Sequence, residues 1–270
     1  MIIGKLVVDN ENILSDVSDT AHLDIQVLLS HVLNQDRSWI LAHPEYKLND
    51  KQEKTLNSFI ARRRRHEPIA YILGKSEFYG REFYVNKNVL VPRPESETII
   101  DLLKDLNAVN DSIIVDVGTG SGSLAITANL EFPETKVFAV DIDNKALKVA
   151  RKNAKRLHAN VKFINSDLLD STPSSIIKHH SPIFLCNLPY VPEDYQINEA
   201  AEHEPNLALF SGIDGLDHYR KLFDQLKVLK SAVVVTESLA FQHAELTKIA
   251  ESAGFKLTNE QDLIQVYKRT

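Results

Sequence analysis

The chain has 270 residues, a net charge of −6 and one cysteine, which allows one large domain or two unequal ones and excludes an internal disulfide or a cysteine-based metal cluster. Its 43% hydrophobic and 25% charged residues are ordinary for a globular protein. No apolar run nears the roughly 20 residues that span a bilayer and MIIGKLVVDNEN lacks a signal-peptide layout, so a cytoplasmic protein with no membrane partner is expected.

Residues 10–66 read as helices. TAHLDIQVLLSHVL places Leu23, Val27, Leu28 and Val32 at helical spacing, and DKQEKTLNSFIARRRRHEP gives a helix that stops before Pro68. The texture changes in EFYGREFYVNKNVLVP, where aromatic and β-branched residues around Gly80 predict a hairpin. This sets boundaries at 1–73 for a helical domain, 74–90 for a hairpin linker and 91–270 for a second domain.

From about residue 95 helices and strands alternate. ESETIIDLLKDL is a helix, SIIVDVG a strand, GSLAITANLEF a helix and KVFAVDID a strand. NKALKVARKNAKRL puts Ala146, Leu147, Ala150, Ala154 and Leu157 on one helical face. VKFINSD and PIFLCN are strands, GLDHYRKLFDQLKVL a helix, AVVVTES a strand, FQHAELTKIAESAGF a helix and LIQVYKR a last strand. Such alternation predicts an α/β fold with a mostly parallel, doubly wound sheet, and a ligand crevice at the carboxyl ends of its strands.

Three of those ends carry chemistry. VDVGTGSGSLAI sets Gly118, Gly120 and Gly122 between strand and helix, where the backbone can turn tightly and a ligand can approach closely. The dinucleotide fingerprint would want a small residue at the sixth position; Ser123 stands there and the extra glycine falls at 122. Asp141 ends the next strand, where a carboxylate can accept from both hydroxyls of a ribose, and Asp167 ends a third. The bland alternative is a glycine turn that only packs a helix, with Asp141 as a helix cap. Three successive strand ends of the expected kind favour a nucleoside cofactor, and the glycine spacing favours S-adenosylmethionine over NAD.

CNLPYVP follows the fourth strand and opens on the same crevice. A planar amide or amino nitrogen is a poor nucleophile because its lone pair is delocalised. The Asn187 side-chain oxygen and the Leu188 carbonyl can accept its hydrogens and stabilise the positive charge of methyl transfer, while Tyr190 stacks on the planar group and fixes its approach. Transfer of this kind needs no metal. The plainer alternative is a turn in which Pro189 stops the strand, Asn187 bonds locally and Tyr190 packs.

On these residues the chain resembles the HemK/PrmC family, the protein-(glutamine-N5) methyltransferases of peptide chain release factors. AYILGKSEFYGREFYVNKNVLVPRPESE (70–97) is similar to the family's linker hairpin and Pro-Arg-Pro-Glu signature, DVGTGSGSLAI to its cofactor loop, and EPNLALFSGIDGL (204–216) to the segment after its Asn-Pro-Pro-Tyr motif. The likeness covers roughly 60–270, and the helical N-terminus only loosely. It implies a class I, Rossmann-like methyltransferase with a seven-stranded sheet. The methyl group of S-adenosylmethionine would go to the glutamine of a Gly-Gly-Gln loop in class 1 release factors, leaving S-adenosylhomocysteine, and the N-terminal helices would recognise the partner. Gly118, Thr119, Gly120, Ser121 and Gly122 would face the methionine part of the cofactor. Asp141 would hold its ribose, Asp167 and Leu168 would flank the adenine, and Asn187 would border it. Asn187, Leu188, Pro189 and Tyr190 would grip the substrate amide, with Asn187 and Tyr190 as catalytic residues. Arg93 and Glu95 would lie near the cofactor. Two positions depart from the pattern: Leu188 replaces the first Pro of the motif but keeps its carbonyl and an extended backbone before Pro189, and Ser238 stands where the family usually has Gly.

Rival readings are a glutamine methyltransferase of a ribosomal protein, an adenine-N6 nucleic-acid methyltransferase with a flipped base, an NAD-dependent oxidoreductase, and a non-catalytic binding module. The first 90 residues are neutral and the −6 falls on 91–270, which counts against nucleic acid and makes direct duplex DNA binding unexpected. Arg62 to Arg65 read as a solvated helix end rather than an RNA site. Cys186 reads as a small buried hydrophobe, Trp39 as a packing residue and His179–His180 as loop. The acidic stretch Glu193 to Glu204 fits either a basic partner or a solubilising loop.

Overall fold

A computed structural model of the chain describes residues 1–106, 112–177 and 179–269, in two units: 1–75 with 197–203, and 76–196 with 204–270. The first holds five helices, α1 (Ile3–Leu14), α2 (Ala21–Leu33), α3 (Arg37–Ala42), α4 (Asp50–Arg63) and α5 (Ile69–Leu73). Leu6, Leu14, Ile25, Leu28, Leu29 and Leu56 form its core, and Trp39 packs against it. An Asn49–Gln52 capping box starts α4.

The buried stripe of α2 departs from the predicted one at Leu23, while Leu28 is buried and Val32 packs against the core as predicted. Ala21, Ile25, Leu28 and Leu29 are buried, whereas Leu23 is 38% exposed. Both stripes have helical period, and period alone leaves the phase open when two faces are apolar. The arginine run also departs from a solvated face. Arg63 Nε donates to Asp24 Oδ2 at 2.7 Å with both side chains largely buried. Arg62 grips Glu67 and reaches the carbonyls of Tyr71 and Ile72; only Arg64 and Arg65 are exposed.

A hairpin follows, β1 (Lys75–Phe78) and β2 (Arg81–Tyr84), all but Lys75 of it in the second unit. Tyr79 and Gly80 between them both have positive φ, 51° and 68°, as a two-residue primed turn requires. A glycine takes that region freely; Tyr79 is held there by its amide on Glu97 (2.7 Å) and its hydroxyl on Asp101 (2.6 Å). Phe78 and Phe83 are fully buried in the core of this unit, so the hairpin is a packed element.

Among the described residues, six further α-helices and seven strands follow: α6 (Glu97–Lys104), β3 (Ile113–Val117), α7 (Ser123–Glu131), β4 (Lys136–Asp141), α8 (Asn144–Leu157), β5 (Val161–Asn165), α9 (Ser174–Ile177), β6 (Pro182–Cys186), α10 (Asp217–Leu226), β7 (Ala232–Glu237), α11 (His243–Ser252), β8 (Lys256–Gln261) and β9 (Ile264–Arg269). The sheet runs β5-β4-β3-β6-β7-β9-β8, parallel from β5 to β7, with β9 antiparallel to both neighbours. β3 and β6 are wholly buried because helices cover both faces. Ile114, Ile183 and Leu185 meet α6 and α7, while Val115, Phe184 and Cys186 meet α10 and α11. β8 escaped the sequence reading since KLTNEQ is polar and exposed throughout, as suits an edge strand.

Chain order reverses between β3 and β6, and the crevice belongs at that switch point. Val117 pairs with Val140 and Cys186, and Cys186 pairs with Thr236. The next residue of each strand is Gly118, Asp141, Asn187 or Glu237, so these four stand level along the carboxyl edge.

Candidate active site

The glycine loop is held from beneath by a carboxylate that the sequence reading passed over. Asp116, 1% exposed in β3, accepts from Thr119 Oγ1 at 2.6 Å and from the Ala125 amide at 3.1 Å. Burial pushes its pKa up to about 7, against those two hydrogen bonds. Asn153 of α8, fully buried, donates to the Ser121 carbonyl and to the Tyr84 carbonyl, each at 2.9 Å, and accepts from the Tyr84 amide. It thereby ties loop, helix and hairpin together.

Gly118, Gly120 and Gly122 all have positive φ, but a side chain would meet different things at each. A Cβ on Gly118 would sit 3.0 Å from Leu188 Cδ2, and one on Gly122 would press Ile126 at 2.8 Å and Ala150 at 3.1 Å. At Gly120 nothing stands nearer than 4.0 Å, and the residue borders the cleft. Asp141 Oδ2 accepts the Gly120 amide at 2.9 Å and Oδ1 the Asp143 amide at 2.8 Å; burial raises its pKa while the amides lower it.

One cleft collects most of the residues singled out from the sequence. Gly118, Thr119, Gly120, Ser121, Asp141, Asp167, Leu168, Asn187, Leu188 and Pro189 line it, and so does Arg93. Gly122, Tyr190 and Glu95 are not among the lining residues: Gly122 is turned to the α7–α8 packing and Glu95 is exposed. Leu168 has φ of 48°, unusual for a branched residue, and is buried. Asp167 pairs with Lys221 at 2.6 Å. His218, which also lines the cleft, was not foreseen.

Asn187 Nδ2 donates to Ser96 Oγ at 2.8 Å and to Glu237 Oε2 at 3.0 Å. The Tyr190 hydroxyl donates to Glu237 Oε1 at 3.0 Å, and burial, reinforced by that carboxylate, pushes the phenol well up. Leu188 is buried against Gly118. Glu237 and Ser96 were missed as site residues. The signal for Glu237 was present, because it ends an apolar strand as Asp141 does. Arg93 joins Glu204 at 2.7 Å, so Glu204 is an interior residue of the second unit, while 197–203 of the same acidic stretch belong to the first. Cys186 is buried and its thiol pushed far up by desolvation, as expected of an inert hydrophobe. Among the described residues no group of three or more His, Cys, Asp or Glu is placed to hold a metal ion, and no helix is long and apolar enough to cross a membrane.

Comparison with known proteins places this geometry in context. Residues 9–74 match the family model described as PrmC N-terminal domain, and 96–202 match the Methyltransferase small domain. The chain is 34% identical over 255 residues to a release factor glutamine methyltransferase of Coxiella burnetii, covering 93% of this chain and 91% of that protein. It is 40% identical over 209 residues to one from Koribacter versatilis, covering 76% and 73%. Among solved structures, a T. thermophilus 16S rRNA methyltransferase in complex with AdoMet and guanosine superposes with a TM-score of 0.52 at 14% identity, over 72% of this chain and 49% of that one. At that identity the likeness concerns the fold alone.

Proposed function

The chain belongs to the release factor glutamine methyltransferase family, and from that premise we propose that it methylates the side-chain nitrogen N5 of the glutamine in the Gly-Gly-Gln loop of class 1 peptide chain release factors, in the cytoplasm, using S-adenosylmethionine. The observation that carries the reading is the level row of Gly118, Asp141 and Asn187 at the sheet's switch point.

The residues present suit the cofactor. Gly120 leaves open space where a side chain would intrude. Each Asp141 oxygen already takes one amide and keeps a second lone pair for a ribose hydroxyl. Asp167 and Leu168 border the part of the cleft assigned to the adenine. When bound, S-adenosylmethionine would supply an electrophilic methyl group on its sulfonium, with Gly120, Asp141 and Leu168 among the residues that would hold the molecule.

The protein's own part is to bind and orient. Asn187 Oδ1 and the Leu188 carbonyl accept the two hydrogens of the glutamine amide, which aims its lone pair and stabilises positive charge as it develops on nitrogen. The carbonyl at 188 serves whatever side chain that residue carries, and the Leu188 side chain fills the space beside Gly118. Holding a planar amide against the methyl carbon replaces a bimolecular encounter by a positioned one.

Methyl-labelled S-adenosylmethionine, offered with a release factor, a ribosomal protein extract or DNA in separate reactions, tests the reading. Label on the Gly-Gly-Gln glutamine supports it. Label in the extract alone would move the assignment to a ribosomal protein, and label in DNA alone would sink it.

A further inference from the structure

The carboxylate of Glu237 stands behind the tetrapeptide without a part in the chemistry above. We infer that Glu237 is a positioning residue which, together with Ser96, dictates which edge of the Asn187 carboxamide faces the substrate. The inference rests on the proposed transfer to a glutamine amide and adds the device that makes Asn187 competent for it.

Glu237 ends β7 and is 1% exposed; Ser96 is 3% exposed. Three donors converge on the Glu237 carboxylate: Ser96 Oγ on Oε2 at 2.6 Å, Asn187 Nδ2 on Oε2 at 3.0 Å, and the Tyr190 hydroxyl on Oε1 at 3.0 Å. Donors on both oxygens favour the acceptor-only carboxylate over the acid. Desolvation raises its pKa, and the hydrogen bonds from Ser96 and Tyr190 oppose that rise.

An amide side chain has two edges, and this ring of bonds selects one. Turned over, Asn187 would set Oδ1 against Oε2, two acceptors about 3 Å apart with no proton between them. Nδ2 therefore faces inward, where Ser96 Oγ also accepts from it at 2.8 Å. Oδ1 is left for the cleft that Asn187 lines. An outward Oδ1 accepts the N–H of a substrate amide, whereas an outward Nδ2 would present donor to donor. The charge contributes as well: a hydrogen bond to an ionised acceptor polarises the carboxamide and makes Oδ1 more negative, next to a nitrogen that is becoming positive. The same carboxylate fixes Tyr190 by its hydroxyl. Its backbone carbonyl accepts from Tyr219 at 2.6 Å, whose hydroxyl also reaches the Cys186 carbonyl at 2.8 Å, locking the ends of β6 and β7 together.

The test compares wild type, Glu237→Gln and Ser96→Ala for kcat on a release factor, dissociation constant of S-adenosylhomocysteine and thermal midpoint. Glu237→Gln keeps shape and can still accept from Asn187, but it loses the charge; kcat is expected to fall about 10-fold with cofactor affinity unchanged. Ser96→Ala, which is less exposed to folding defects, is expected to lower kcat roughly threefold. The double variant should fall by less than the product of the two, because both act through Asn187. A Glu237→Gln enzyme within twofold of wild-type kcat overturns the inference, as does a kcat loss matched by equal loss of cofactor affinity. Wild-type enzyme that labels no glutamine overturns the proposed reaction and this inference together, whereas normal wild-type labelling with an indifferent Glu237→Gln overturns this inference alone.

Discussion

Arg93 and Glu204, from segments more than a hundred residues apart, close on each other at 2.7 Å, and the second Glu204 oxygen accepts the Val91 amide at 3.2 Å. The Glu204 side chain is 2% exposed and that of Arg93 36%, so the carboxylate depends on the arginine more than the arginine on it. Burial raises the Glu204 pKa and Arg93 opposes the rise. Arg93→Ala leaves a buried carboxylate without its cation and is expected to destabilise by about 2 kcal/mol. A raised folded-state pKa means stability held at low pH and lost as pH rises. The deficit, read from urea midpoints at constant m, should therefore be larger at pH 8 than at pH 5.

Asp116 gives a pH dependence of its own. Its folded-state pKa of about 7 lies above the unfolded carboxylate value of about 3.9. Its contribution is complete below about pH 4 and is lost as pH rises to about 7. Asp116→Asn can still accept from Thr119 or Ala125 and does not titrate. Between pH 4.5 and 7.5 its unfolding free energy should fall less steeply than that of wild type, by denaturant titration at each pH.

The loop glycines separate stability from binding. Gly122→Ala adds a methyl group 2.8 Å from Ile126 at a φ of 83° and is expected to cost about 2 kcal/mol or more of stability. Gly120→Ala at a φ of 53° meets nothing nearer than 4.0 Å, so it should cost only the backbone term of about 1 kcal/mol while weakening cofactor affinity. Calorimetric titration with S-adenosylhomocysteine beside thermal melts distinguishes the two.

Asn187→Ala removes the acceptor assigned to the substrate nitrogen. Turnover is expected to fall about 10²- to 10³-fold, with S-adenosylhomocysteine affinity within about threefold of wild type. Near-normal turnover would remove Asn187 from the mechanism.

Ser238 is fully buried, and among the described residues its hydroxyl has no hydrogen-bond partner. Ser238→Ala relieves an unsatisfied polar atom and is expected to raise stability by up to about 1 kcal/mol, seen as a higher melting temperature.

What the sequence disclosed depended on contrast with its surroundings. Asp141 and Asn187 were legible because each is polar at the end of an apolar run, and alternation then set them on one edge of a parallel sheet. Asp116 lay inside such a run and looked like part of the strand, although a charge in a wholly buried strand must have partners. Glu237 carries the same signature as Asp141, a charged residue that ends an apolar strand. Ser96 had no local signal, since its role arises from contacts with residues 91 and 141 positions away. The phase of α2 and the polar edge strand β8 were set by tertiary packing, to which residue period is blind. Arg62 and Arg63 were misread for a similar reason: their partners, Glu67 and Asp24, give no sign in a charge run.

Because Val117 is matched to Cys186, and Cys186 to Thr236, the reactive row is spelled by strand alignment rather than by any loop. Sliding β6 by a single residue toward its carboxyl end would bring Cys186, a thiol with no acceptor oxygen, to the place of Asn187. It would also turn Leu185 and Phe184 to the wrong faces of the sheet. Lengthening a helix or a surface loop leaves that alignment intact, whereas one residue inserted within β6 would erase it. The protein's chemistry is thus most fragile along five apolar residues that never touch a substrate.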